Sequence, residues 1–131
     1  MSLWLQLAAG VALAYVLWRM FRLLRPGIAP EVAARDAAAG TAVIIDVREP
    51  AEWSAGVAAP AVLLPLSDLR GARREWGPFL AAHRGRRLFL YCAAGGRSGV
   101  AAGLLRREGW ATENLGSYAR WQAAGLPVRR P

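Results

Sequence analysis

The first twenty-four residues are almost unbroken in their apolar character. From Leu3 to Leu17 the only strongly polar residue is Gln6 and there is no charge; Arg19 and Arg22 enter only near the end of the run. Extended to Leu24, the stretch forms about 33 Å of helix at ~1.5 Å per residue, close to the ~30 Å hydrocarbon core of a bilayer. Trp4 and Trp18 stand where interfacial anchors belong, and Arg19, Arg22 and Arg25 are placed to snorkel toward headgroups. A secretory leader carries its positive charges before the apolar run and a small-x-small site after it. Here the charges follow, and no such site is seen. The pattern predicts a single-pass transmembrane helix over 1–25 inserted in the inner (cytoplasmic) membrane. The positive-inside rule puts everything after Arg25 on the cytoplasmic side.

Beyond the Pro26-Gly27 break, a linker over 26–29 leads to a domain at 30–131, and the periodicity changes. Pro30-Glu31 opens a helix that runs to Ala37 and ends by Gly40. Ala42-Val43-Ile44-Ile45 is a continuous β-branched run of the kind buried on both faces of a sheet. A short helix over 50–56, capped by Gly56, precedes a second strand at 61–64. Ser67 reads as the N-cap of a further helical piece. The basic stretch 70–83 reads as two short helices around Gly77-Pro78, with Trp76 as a packed lid and His83 as a helix-end or surface histidine. Strands at 88–91 and 111–115 flank a helix over 99–107. A last helix carries Trp121, expected in the core. Strands alternating with helices predict an α/β domain, its sheet mostly parallel and covered by helices on both faces.

Composition sharpens this only in part. All seventeen basic residues are arginine, against nine acidic, for a net charge of +8. The arginines lie scattered in pairs without interleaved aromatics, which argues against nucleic acid as a partner and for solvated faces. One cysteine excludes an internal disulfide, and with one histidine it leaves no Cys/His metal cluster, so neither a metal nor a cofactor is expected. A free reactive thiol is most useful where thiols stay reduced. The absence of lysine beside abundant alanine and glycine suggests a GC-rich bacterial genome.

The chemistry concentrates after the strand Leu88-Phe89-Leu90-Tyr91. Cys92 is followed by Ala93, Ala94, Gly95, Gly96, Arg97 and Ser98, and then by the helix. A strand, a loop of small residues and a helix start form a cradle of inward N–H groups, with about half a positive charge at the helix end. Small side chains let a ligand approach those groups. A thiol at such a cradle is expected to have a lowered pKa. Arg97 offers a planar donor fork for an oxyanion, or else shapes the loop.

Cys-Ala-Ala-Gly-Gly-Arg-Ser resembles the active-site loop of rhodanese-type sulfurtransferases, C-x-x-G-x-R followed by a small hydroxyl residue. Asp46-Val47-Arg48-Glu49 resembles a second segment of that family, and Trp121 with Gly125-Leu126-Pro127-Val128 its ending, so the likeness covers nearly all of 28–128. It implies the small five-stranded rhodanese fold. It also implies that Cys92 takes a sulfane sulfur from thiosulfate or a similar anionic donor as a persulfide, then passes it to a thiol or cyanide-type acceptor. The loop from Ala93 to Ser98 would bind the substrate. Asp46 and Arg48 would brace the loop, although Asp-x-Arg alone reads as a surface ion pair worth almost nothing. The family's usual histidine after Gly56 is replaced by Val57, and its asparagine before the next strand is also missing, which implies altered packing there. Two other classes remain open. One is a membrane-tethered recruitment module with little catalysis. The other is a phosphatase or arsenate reductase, whose C-x5-R loop is one residue longer than the C-x4-R here.

Overall fold

The computed structural model describes residues 2–24 and 27–131. Arg25 and Pro26, expected respectively to snorkel and to break the first helix, lie outside the described residues. Helix α1 spans Leu3–Leu24. From Leu3 to Phe21 its apolar side chains are exposed, Trp4 being 81% exposed, and none of the window Leu3–Arg22 is buried against the domain. A core helix would be covered. By length and composition α1 can cross a membrane.

The domain follows as α2 (Pro30–Ala38), β1 (Ala42–Asp46), α3 (Pro50–Trp53), β2 (Val57–Ala58), β3 (Val62–Leu63), α4 (Leu66–Leu69), α5 (Trp76–Ala82), β4 (Arg87–Cys92), α6 (Gly96–Arg107), β5 (Thr112–Ser117), α7 (Tyr118–Ala123) and β6 (Val128–Arg129). The central sheet has four parallel strands in the order β3-β1-β4-β5. The expected fifth strand is not part of it. Val57 and Ala58 pair instead with Arg129 and Val128 as a separate antiparallel ribbon. Pro127 accounts for part of this, since its carbonyl accepts the Ala59 N–H and starts the ribbon.

The period-2 alternation of strands sorts the core into two layers. Val43, Ile45, Leu88, Leu90 and Cys92 face one layer, against Leu69 of α4, Trp76 and Phe79 of α5, and Leu105 of α6. Ala42, Ile44, Phe89 and Tyr91 face the other, against Ala33 of α2 and Trp121 of α7. This parity places the Cys92 sulfur on the side of α6 and sends the Tyr91 ring away from it. Trp121 is in the core as expected.

Four local expectations change. α3 ends at Trp53, with Ser54 rather than Gly56 as its C-cap; Gly56, at φ +128°, makes the turn beyond it. Ser67 is not an N-cap. Pro65 holds that place, and Ser67 gives its N–H and hydroxyl to the Glu49 carboxylate. Gly77-Pro78 does not break the 70–83 stretch into two helices, because proline is tolerated in a first helical turn. The Asp68 carboxylate takes the N–H groups of Arg74, Glu75 and Trp76 and so closes the preceding turn onto α5. Trp76 is no lid. It is wholly buried and donates its ring N–H to the Pro65 carbonyl at 3.0 Å. Strand and helix limits also move slightly: the second predicted strand shrinks to Val62–Leu63, the last shifts to Thr112–Ser117, and α6 begins at Gly96, which puts Arg97 and Ser98 in its first turn.

Candidate active site: a thiol under a ring of donors

β1 leads to β3 on one side and β4 leads to β5 on the other, so the chain diverges between the neighbouring strands β1 and β4. Open α/β sheets bind ligands at such a point, beyond the carboxyl ends of the strands. Asp46 ends β1, its register partner Tyr91 lies beside it, and Cys92 ends β4.

From Cys92 the chain rises through exposed Ala93 and Ala94 and reverses at Gly95, whose φ of +96° is left-handed and favours glycine. That reversal aims the Gly95 N–H at the sulfur at 3.0 Å, with the Ser98 N–H at 3.4 Å from the next turn. The Ser98 hydroxyl also stands 3.4 Å from Sγ. It lies 2.7 Å from Asn114 Oδ1 and 3.2 Å from the Gly95 carbonyl, and its single hydrogen serves one of the three at a time. A negative sulfur competes best for it.

Cys92 is 1% exposed. Burial alone pushes its thiol up, but donation from the Ser98 hydroxyl and from the N–H groups of Ser98, Ala94 and Gly95 outweighs burial and leaves the pKa below the ordinary 9.0. Alkylation of Cys92 by a neutral haloacetamide should therefore reach half its limiting rate below pH 9, and Ser98→Ala should move that midpoint upward. An unmoved midpoint would remove the hydroxyl from the account.

Asn114 is a site residue that sequence reasoning passed over, as is Glu52. Leu90 faces Asn114 while Tyr91 faces Gly116, so β5 carries one extra residue at this level. The bulge turns the Asn114 side chain toward the loop. Its amide donates to the Gly95 carbonyl at 3.0 Å and its oxygen accepts the Gly116 N–H at 3.0 Å. Asn114 thereby holds both Gly95 and Ser98. The one sequence signal was Asn two residues before a glycine, a pattern suited to a local side-chain turn.

Arg97 is engaged elsewhere than the oxyanion position. Its guanidinium forms a fork with the Glu52 carboxylate, Nη1 to Oε1 at 2.5 Å and Nη2 to Oε2 at 2.8 Å. Hydrogen bonding from Arg97, opposed by partial burial and aided by the Glu49 N–H, holds the Glu52 carboxyl down at about 2, and Glu52 raises Arg97 in return. The pair is ionised at any physiological pH.

Asp46 and Arg48 are brought together, though not around the cysteine loop. The Asp46 carboxylate takes the Arg48 N–H at 2.9 Å and Arg48 Nη2 at 2.8 Å, both groups being nearly inaccessible. Arg48 goes on to the carbonyls of Gly56 at 2.8 Å and Glu52 at 3.3 Å, and lies 4.7 Å from the centre of the Tyr118 ring. The surface-pair expectation fails because this arginine points inward. What the pair braces is α3 and the turn after it. Through α3 it positions Glu52, and through Glu52 it positions Arg97. Tyr91 completes that wall, its hydroxyl accepting the Ala58 N–H at 2.9 Å. Val57, which stands where the family has histidine, is fully buried in the same turn.

Among the described residues no group of three or more His, Cys, Asp or Glu side chains is arranged to hold a metal.

The comparisons with known proteins bear on the family and the fold. The family model of the rhodanese-like domain matches residues 29–124. An uncharacterized protein of Synechocystis sp. is 33% identical over 105 residues, which cover 77% of this chain and 54% of the relative. The chain thus spans about half the length of the curated relative it matches. The crystal structure of a rhodanese-related protein from Thermoplasma volcanium superposes with a TM-score of 0.65 at 26% identity, covering 80% of this chain and 98% of that one. The solution structure of a rhodanese-like domain from an Anabaena sp. protein gives 0.63 at 25% identity, covering 82% and 80%. The chain belongs to the rhodanese-like domain family, and carries before that domain a helix that is a candidate membrane anchor.

Proposed function

We propose that the protein is a membrane-anchored sulfurtransferase in which Cys92 carries sulfane sulfur as a persulfide. The observation that carries this reading is the ring of donors around the sulfur: two backbone N–H groups and the Ser98 hydroxyl lie within 3.4 Å of Sγ. Such a ring suits a thiolate nucleophile and then the negative outer sulfur of the persulfide. The Cys92 thiolate attacks the outer sulfur of thiosulfate or a similar anionic donor, expels sulfite from thiosulfate, and becomes Cys–S–S⁻. A thiol or cyanide-type acceptor, on a small molecule or a partner protein, takes that sulfur and returns the thiolate. Cys92 is the only cysteine, so the acceptor comes from outside the chain.

The loop residues Ala93, Ala94, Gly95, Gly96 and Ser98 act through backbone and hydroxyl donors, with Arg97 as a positioning residue and Asp46 and Arg48 as supports. Helix α1 over 3–24 inserts in the cytoplasmic membrane as a single pass and holds the domain on the cytoplasmic side. This follows from the arginines at its carboxyl end and from its uncovered apolar surface. The test is turnover by the full chain in detergent. Thiocyanate should form from thiosulfate and cyanide, and the chain should stay with carbonate-washed membranes. A folded chain without turnover from either thiosulfate or a thiosulfonate would favour a tethered recruitment module instead.

A further inference from the structure

The sulfur chemistry above gives Glu52 no task beyond positioning Arg97. Building on the sulfurtransferase reading, we propose that Glu52 sets the charge of the donor that Cys92 accepts: by neutralising Arg97 it turns the site away from dianionic thiosulfate and toward singly charged sulfane donors, thiosulfonates and persulfides.

The mask is built, not incidental. Both terminal Arg97 nitrogens bond the carboxylate, the side chains are 37% and 33% exposed, and Arg97 lies close enough to Cys92 to feel its charge. Glu52 itself is fixed from several sides. Its Oε1 accepts the Glu49 N–H at 3.1 Å in a reciprocal cap of α3, its carbonyl accepts from Arg48, and Glu49 is tied to Ser67. Arg97 therefore cannot turn its paired fork, with an unmasked charge, to an oxyanion without leaving a carboxylate that does not follow it. A second carboxylate, Glu49, also acts on Arg97 electrostatically. What remains for a ligand is the neutral N–H ring and the partial charge of the α6 terminus. That suffices for one negative charge and rewards a second one little.

Both donor classes give the same product. Thiosulfate and the Cys92 thiolate yield Cys–S–S⁻ and sulfite, with three negative charges on each side. Methanethiosulfonate and the thiolate yield Cys–S–S⁻ and methanesulfinate, with two. In each case the new S–S bond replaces the donor's S–S bond, and the leaving group departs with the electron pair.

The experiment measures persulfide formation on the full chain in detergent with each of these two donors, in wild type and in Glu52→Gln. Glutamine keeps the cap of α3 through its amide oxygen but removes the negative charge. The rate constant per unit donor should rise on the order of tenfold for thiosulfate, the scale of one partly screened charge, and much less for methanethiosulfonate. In the double variant Glu52→Gln/Arg97→Gln the thiosulfate gain should vanish, because the freed guanidinium is its source. An equal change for both donors, or a gain that survives in the double variant, would overturn the charge mask while leaving the sulfurtransferase reading intact. Failure of the wild type to charge with either donor would remove both.

Discussion

Cys92→Ser should reduce sulfur transfer by on the order of a thousandfold or more while leaving the fold in place, because a serine oxygen forms no persulfide. The fold should survive because the sulfur is a small part of the core layer between β4 and α6, whose weight rests on Leu88, Leu90, Ala101 and Leu105. The serine hydroxyl also inherits donors from the Gly95 and Ser98 N–H groups, so the change leaves no buried polar group unpaired. Turnover measured beside the circular dichroism of the same sample separates the two effects. Residual transfer above one part in a hundred by a folded Cys92→Ser protein would mean that sulfur moves without Cys92.

Arg48→Met should be the most damaging single change for stability outside the apolar core. It strands the Asp46 carboxylate, which is wholly inaccessible, and deprives the carbonyls of Gly56 and Glu52 of their donor. Breaking a buried ion pair from one side costs about 3–5 kcal/mol, since the remaining charge is left unpaired. For a domain of this size that lowers the melting temperature by more than about 10 °C. Asp46→Leu combined with Arg48→Met should recover part of the loss, because the stranded charge is gone. Loss of the pair also lets α3 move, so Glu52 should release Arg97 and the thiosulfate preference should shift as in Glu52→Gln. Thermal unfolding followed by tryptophan fluorescence reads the first effect. A shift below about 2 °C would show that the pair is dispensable.

What the sequence made legible is what lies close together along it. The cysteine loop is one contiguous heptapeptide between a strand and a helix, so its N–H ring follows from local rules about glycine and helix termini. The parallel strands and the long apolar helix were equally readable from period and length. The parts that escaped depend on partners far along the chain. Glu52 meets Arg97 across 45 positions, and nothing in Pro-Ala-Glu-Trp marks that glutamate over Glu49 beside it. Ser98 and Asn114 meet only because β5 bulges by one residue. β2 could not be set apart from the main sheet without knowing that Val128 would come to lie against Ala58. Asp46 and Arg48 were picked out, yet their target was misplaced: an arginine's reach is evident from sequence, its direction is not. Gly77-Pro78 was read as a break and Trp76 as a lid, whereas Asp68 turns that dipeptide into a helix start and Trp76 is buried.

The central claim is that the Cys92 sulfur, under its ring of donors, accepts and holds a second sulfur. Intact-mass spectrometry of the full chain before and after exposure to thiosulfate and to methanethiosulfonate addresses it most directly. The account predicts a gain of one sulfur atom on Cys92, removed by cyanide as thiocyanate and absent from Cys92→Ser. A folded chain whose Cys92 stays unmodified by both donors would contradict it and leave the domain a tethered binding module.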